Sequence, residues 1–279
     1  MEPLRIDVAG TQLHGELHRS VGPSKGGLVL AHGFNSSLAE FGPLPATLAK
    51  GGYDVLAFDF RGYGRSGGEP GRTSVELALE DLRAAADALA ARTAGPFGVV
   101  GHSLGGSYAI AAMGRTRLFG AGVVAHPVSR LFDELRPWEQ WGYHVVGKWA
   151  ERRVRKGKPA GTIPYKLSYP QLFVDQDAAR KAKADGFLLG RVSLANYRPA
   201  MTMSAAEWAR DVRAPVLVFA SPHDRAVRPA HTREVYDNLG GPKELLQHRG
   251  GHSCFRDLDG PLLADAALAW FDRHLEEAR

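Results

Sequence analysis

Ser103 is the residue around which a chemistry can be built. It stands in Gly101-His102-Ser103-Leu104-Gly105, between a short apolar run from Phe97 to Val100 and an alanine-rich run from Tyr108 to Met113. The first run reads as a buried strand and the second as a helix, so the serine falls on the bend between them. Such a bend closes only if the residues two before and two after it are small, as Gly101 and Gly105 are. The turn lifts the hydroxyl out of the sheet edge and sets it at a helix N-terminus, where unpaired N–H groups can stabilise a developing oxyanion. A serine alcohol is a weak nucleophile at neutral pH. It needs an imidazole within hydrogen-bond reach and a carboxylate to orient that imidazole. The plainer alternative, a serine that only caps a helix in a tight turn, needs neither.

Other chemistries find less support. The eleven histidines include no His-x-x-x-His pair on a helix with a glutamate between, and the lone Cys254 reads as a small buried apolar residue, so neither a metal nor a cofactor is expected. The glycine-rich stretch from Asp59 to Gly68 lacks the Gly-x-x-x-x-Gly-Lys-Ser/Thr pattern and opens no helix, which argues against a phosphate cradle.

The elements that must position Ser103 follow a regular rhythm. Leu4–Val8 and Leu13–Leu17 alternate as an edge hairpin, and buried strands are expected at 27–31, 53–58, 97–100, 121–125, 214–220 and 243–247. Between them come helices near 40–50, from Thr73 or Ser74 to about 92, after the serine, at 229–239 and at 260–277. This alternation implies a mostly parallel eight-stranded sheet with helices on both faces. Ligands bind at the carboxyl ends of such strands, where His32, Ser103 and His126 fall. From Val128 to Ala200 the rhythm breaks. Trp138, Trp141, Val145 and Trp149 recur at helical spacing there, with charged residues on the other faces, and prolines follow. The reading is therefore one catalytic domain, 1–127 and 201–279, with a cap over 128–200 inserted after the sixth strand.

The Gly101-to-Gly105 elbow and the order of elements along nearly the whole chain resemble the α/β-hydrolase superfamily. The nearest group is its capped serine hydrolases, which include monoacylglycerol lipases, small esterases and some aminopeptidases. The resemblance implies the α/β-hydrolase fold with a helical cap, and a catalytic order Ser, acid, His with the last two in loops after late strands. Asp224 and His252 meet that description. His248 competes with His252 but ends a strand, whereas His252 follows two glycines in a loop that can fold back. Asp211 lies at the wrong end of its strand, and Asp257 reads as a cap or an arginine partner. The resemblance also implies an oxyanion hole from the backbone N–H groups of Leu104 and Phe34, the latter in His32-Gly33-Phe34, with the His32 ring holding that loop. His126 is open between core packing and substrate contact, and it joins Trp138 and Trp141 as a substrate-binding candidate. A serine rather than an aspartate at the elbow disfavours the dehalogenase and epoxide-hydrolase branches.

With 279 residues and 44% hydrophobic composition, one large core with an insertion is expected. No apolar run reaches signal-peptide or bilayer length, and a single cysteine forms no internal disulfide, so a soluble, cytoplasmic protein is expected. The net charge is +5, and residues 128–200 alone carry 14 basic against 7 acidic residues, so the excess belongs to that segment. Its tryptophans either pack down to line an apolar acyl site, with the cations solvated, or form a membrane-surface helix. No nucleic-acid-binding module is recognisable. The expected activity is hydrolysis of carboxylic esters with an apolar acyl group, without a cofactor. The rivals are amide or peptide cleavage, and a non-catalytic binder on the same fold.

Overall fold

Short apolar runs bounded by glycine or by loops become the buried strands. The computed structural model describes residues 1–130, 136–165, 167–196 and 202–276. Strands β3 (Gly27–Ala31), β4 (Asp54–Phe58) and β6 (Ala121–Ala125) are buried at every position, and β5 (Phe97–His102) and β9 (Val216–Ala220) at all but one. Burial on both faces is what a parallel strand between two helical layers needs. With the hairpin β1 (Glu2–Val8) and β2 (Thr11–His18) and the last strand β10 (Lys243–Gln247), they form an eight-stranded sheet in the order β1-β2-β4-β3-β5-β6-β9-β10. The β1–β2 and β2–β4 pairs are antiparallel and the rest parallel.

Register decides which loops meet. Ala31 pairs with Gly101, His102 with Ala125, Ala125 with Phe219 and Ala220 with Gln247. The segments that follow β3, β5, β6, β9 and β10 therefore emerge along one rim. Helices α2 (Val75–Ala90), α3 (Leu104–Thr116), α7 (Ala205–Ala209) and α8 (Pro229–Asn238) share one core with the sheet, while α1 (Leu44–Lys50) and α9 (Gly260–Glu276) cover the other face. Ser74 caps α2 by accepting the Leu77 N–H at 3.3 Å. The helix expected over 40–50 is split into a turn at Leu38–Phe41 and α1, because Gly42 takes a positive φ of 53° and Pro43 and Pro45 have no N–H to continue the ladder.

Between β6 and β9 lie α4 (Pro137–Arg155), β7 (Thr162–Pro164), α5 (Tyr169–Leu172), α6 (Gln176–Asp185) and β8 (Arg191–Ser193). β7 and β8 pair antiparallel, so the insertion is not wholly helical. It has a small core of its own around Leu172, Phe173, Ala179, Ala182 and Phe187. It is seated on the rest of the chain by apolar contacts, among them Leu189 against the main core and Tyr165 against Phe34, and by hydrogen bonds. Leu189 N–H donates to Asn35 O at 2.8 Å, Ser253 N–H to Leu172 O at 2.9 Å, and Asp257 accepts Val174 N–H at 2.7 Å and Asp175 N–H at 3.0 Å. The expected boundary at 200/201 lies outside the described residues.

Helix α4 is turned opposite to one of the two expectations. Its small residues Gly147 and Ala150 are buried, and it packs against the turn at Leu194–Asn196. Trp138, Trp141 and Trp149 are 66%, 70% and 50% exposed, and Lys148 and Arg152 are exposed beside them. Apolar periodicity finds a stripe, but close approach of the backbone selects the small-residue side for packing.

Candidate active site

The serine stands on a strained turn, with φ 53° and ψ −122° at Ser103. A Cβ at Gly101 would lie 2.6 Å from Gly106 Cα, and one at Gly105 would run into the carbonyls of Ala31 and His32, so the bend admits only glycine at both places. Ser103 N–H donates to Ala125 O at 2.8 Å, which anchors the elbow to β6. Among the described residues no acceptor takes the N–H of Leu104, at the start of α3, or that of Phe34. The loop carrying Phe34 is held by the His32 ring, whose Nδ1 meets Gly33 O at 2.8 Å and whose Nε2 accepts Phe60 N–H at 3.0 Å. These two contacts fix the Nδ1–H tautomer.

Ser103, Leu104, Phe34 and His252 line one cavity at the rim, together with Val128, Tyr143, Leu172, Phe187, Leu188 and Val227. Glu40 is the only carboxylate among its described lining residues. His252 arrives in the loop after β10. Its backbone is held by Gly251 N–H donating to Asp257 at 2.6 Å, so Asp257 braces this loop and the insertion together instead of pairing with an arginine. The arginine pair falls to Asp259, with Arg249. His252 Nδ1–H donates to Asp224 Oδ2 at 2.8 Å, and its Nε2 has no protein partner among the described residues. Asp224 lies in the loop after β9, where its Oδ1 accepts the N–H groups of Ala226 (2.8 Å) and Val227 (2.9 Å). Burial alone would push the carboxyl pKa up. The His252 and His126 imidazoles outweigh it and hold the group far below the usual carboxylate range, so Asp224 is ionised.

His126 is not at the cavity. It is 1% exposed and donates from Nδ1 to Asp224 Oδ2, while its Nε2 lies 2.8 Å from His248 Nε2. The positive φ of 52° after β6 turns this ring along the rim and away from the solvent side. Trp138 and Trp141 are likewise absent from the lining, since they face outward on α4; Tyr143, on its inner side, lines the cavity instead. All three of these substrate-binding candidates are therefore displaced.

Two residues missed in the sequence complete the site. His102 Nδ1 faces Glu40 Oε1 at 3.0 Å and its Nε2 faces the His252 carbonyl at 2.8 Å. Both partners are acceptors, so the ring carries both protons and is an imidazolium. Burial opposes that charge, but the Glu40 carboxylate raises the His102 pKa, and His102 in turn holds Glu40 below its ordinary value against its own burial. Glu40 also accepts Gly33 N–H at 2.6 Å. The ion pair thus ties the Phe34 loop, the elbow and the His252 loop together. A histidine beside the serine and a glutamate soon after His32-Gly33 were visible, but nothing in the chain's order says that two residues 62 apart must meet.

The cluster also brings possible metal ligands together, His126 with His248 and Cys254, and His126 with Asp224 and His252, each set within 4.8 Å. The fit is poor. The two Nε2 atoms stand 2.8 Å apart in a hydrogen bond, whereas two ligands of one tetrahedral zinc stand about 3.3 Å apart. Burial also pushes the Cys254 thiol well above its ordinary pKa, away from the thiolate that binds metal.

The family model of the serine aminopeptidase S33 type (Hydrolase_4) matches residues 22–259. The chain belongs to this hydrolase family. It is 26% identical over 269 residues to a monoacylglycerol lipase of Mycolicibacterium smegmatis (strain ATCC 700084 / mc(2)155), covering 90% of this chain and 89% of that one. Among solved structures, a monoacylglycerol lipase of Paleococcus ferrophilus superposes with a TM-score of 0.74 at 23% identity, over 94% of this chain and 99% of that chain. A soluble variant of the Saccharomyces cerevisiae monoglyceride lipase, in complex with a substrate analogue, gives 0.78 at 17% identity, over 98% and 96%. These likenesses agree with the sheet order in giving the α/β-hydrolase fold.

Proposed function

We propose that the protein hydrolyses carboxylic esters with an apolar acyl group, through an acyl-enzyme on Ser103. The observation that carries this reading is the bond from His252 Nδ1 to the ionised Asp224, with His252 and Ser103 on one apolar cavity. Ser103 Oγ attacks the carbonyl carbon while His252 Nε2 takes its proton, and the N–H groups of Phe34 and Leu104 hold the oxyanion. The intermediate collapses, His252 returns the proton to the leaving alcohol, and water repeats the sequence to free the acid. The monoacylglycerol lipase relative supports an ester of this kind. The family's name admits peptide cleavage as well, but a substrate amine would need a carboxylate, and Glu40 is already taken by His102 and Gly33 N–H.

The segment 128–200 acts in this reading as the cap over the acyl site. Among the described residues no helix is long and apolar enough to cross a membrane. The exposed tryptophans of α4, with Lys148 and Arg152 beside them, suit an anionic lipid surface from which such esters would be drawn. The Ser103→Ala variant tests the activity: p-nitrophenyl ester turnover is expected to fall at least about a thousandfold with an unchanged melting profile. Undiminished turnover in that variant would end the assignment, and faster turnover of aminoacyl anilides than of acyl esters would move it to the amide class.

A further inference from the structure

Asp224 accepts from two imidazoles, and only one of them lines the cavity. His252 Nδ1–H reaches Oδ2 from the substrate side, and His126 Nδ1–H reaches the same oxygen from the protein side. Behind His126 stands His248, whose Nε2 lies 2.8 Å from His126 Nε2, with ring centroids 5.0 Å apart. The backbone holds both rings in place. His126 N–H donates to Phe219 O at 3.1 Å and His248 N–H to Ala220 O at 3.0 Å, so the residues flank the end of β9, just before the loop that carries Asp224.

Proton counting fixes the direction of the chain. Because Asp224 is an acceptor, His126 carries its proton on Nδ1, and the contact between the Nε2 atoms then needs the proton of His248. His248 therefore donates to His126, and His126 donates to Asp224. Both rings are neutral: burial, with neighbouring imidazoles adding to it, lowers His126 and His248 to about 4. The groups facing His126 are Asp224, His252, His102 and His248, with the Cys254 thiol beside them; His248 faces His126, Asp257 and Asp259, the last paired with Arg249.

We infer that His126, backed by His248, is a positioning residue for the reaction, holding Asp224 Oδ2 in place and drawing part of its charge away from His252. This rests on the reading of Ser103, His252 and Asp224 as the reacting set. A carboxylate that receives a second N–H donor on one oxygen has less charge to offer the first. Without His126, Asp224 would stabilise the protonated His252 more strongly, and it would lose the contact that fixes its rotamer.

The test is the pH profile of kcat/KM for a soluble p-nitrophenyl ester, measured for the whole protein. In His126→Phe the acid limb is expected to move up by roughly one pH unit, with kcat lowered about tenfold and KM unchanged. His126→Asn keeps an N–H near the Nδ1 position and tolerates positive φ, so it is expected to restore most of the native limb. His248→Gln is expected to shift the limb in the same direction by less, and His126→Phe/His248→Gln to equal His126→Phe alone, because His248 acts through His126. An acid limb that stays in place in folded His126→Phe and His248→Gln, while Ser103→Ala is inactive, overturns this inference and leaves the ester-hydrolase reading standing. Activity in Ser103→Ala overturns both.

Discussion

Along the carboxyl rim of the sheet, the side chains of His102, His126, His248, His252, Glu40 and Asp224 are all buried, whereas on α4 three tryptophans lie half exposed or more. Each region inverts the usual distribution of polar and apolar groups, in opposite senses. At the rim the inversion is compensated internally. Glu40 neutralises His102, Asp224 collects four N–H donors, and His248 donates to His126, which leaves His248 Nδ1 buried without a partner among the described residues. Among the described residues the α4 tryptophans have less compensation, with Arg153 stacked 5.1 Å over the Trp149 ring, and in the proposed reading a lipid surface covers them. In the proposed reading, buried polarity organises the chemistry and exposed apolarity marks the face that meets lipid.

The sharpest way to break this contrast is to remove one half of the buried pair. Glu40→Gln leaves the His102 cation without a counter-charge, and urea unfolding is expected to show a loss of about 3–5 kcal/mol. The double change Glu40→Gln/His102→Gln should recover part of it, since no buried charge then remains. If the single variant is as stable as the native chain, the rim is not held by that pair.

Acid should then separate the two imidazole systems. The folded-state values of His126 and His248 are lowered to about 4 from an ordinary 6.5. Their contribution to stability is complete above pH 6.5 and is lost as the pH falls towards 4, because the unfolded chain takes up protons there that the folded one refuses. His102 is raised, so its contribution is complete below 6.5 and lost as pH rises through its folded value. Glu40 is lowered, so its contribution is lost only as the pH falls through its folded value, below 4.5. Urea titrations at pH 7 and pH 5 are expected to show a drop at pH 5 that shrinks in His248→Gln. A drop of equal size in that variant would remove His248 from the account.

The smallest stability effect is expected on α4. Trp138→Ser and Trp141→Ser should each change unfolding free energy by no more than about 0.5 kcal/mol, because most of each side chain is already in water, and Trp149→Ser, half covered and under the Arg153 guanidinium, by no more than about 1 kcal/mol. Combined, they should lower sedimentation with anionic phosphatidylglycerol vesicles by roughly tenfold or more, while turnover of a soluble short-chain ester is kept. A loss of about 2 kcal/mol or more at any one of them would mean that the face is packed, and equal vesicle binding would mean that lipid does not cover it.

The eight strands of the main sheet were legible along the chain because a fully buried parallel strand is a short apolar run with clear stops. Gly27–Ala31 and Ala121–Ala125 are examples. Ser103, His252 and Asp224, named from motif and loop position, lie at one rim because the register of β5, β9 and β10 leaves no other place for their loops. Long-range pairing between polar residues was not legible. His126 reads as a histidine after a strand whether it meets substrate or Asp224, and Asp257 reads as a cap whether it meets Arg249 or the backbone of Gly251. On α4, periodicity located the tryptophan stripe, but the side that packs was set by the small residues Gly147 and Ala150 opposite it.

The central claim is that the Ser103 hydroxyl is made reactive by His252. Brief exposure of the native protein to a fluorophosphonate, followed by peptide mass mapping, tests it most directly. The account predicts a single phosphonyl adduct on the peptide carrying Ser103, formed at least about a hundredfold more slowly in His252→Ala. An adduct at another residue, or an equal rate in His252→Ala, would contradict it.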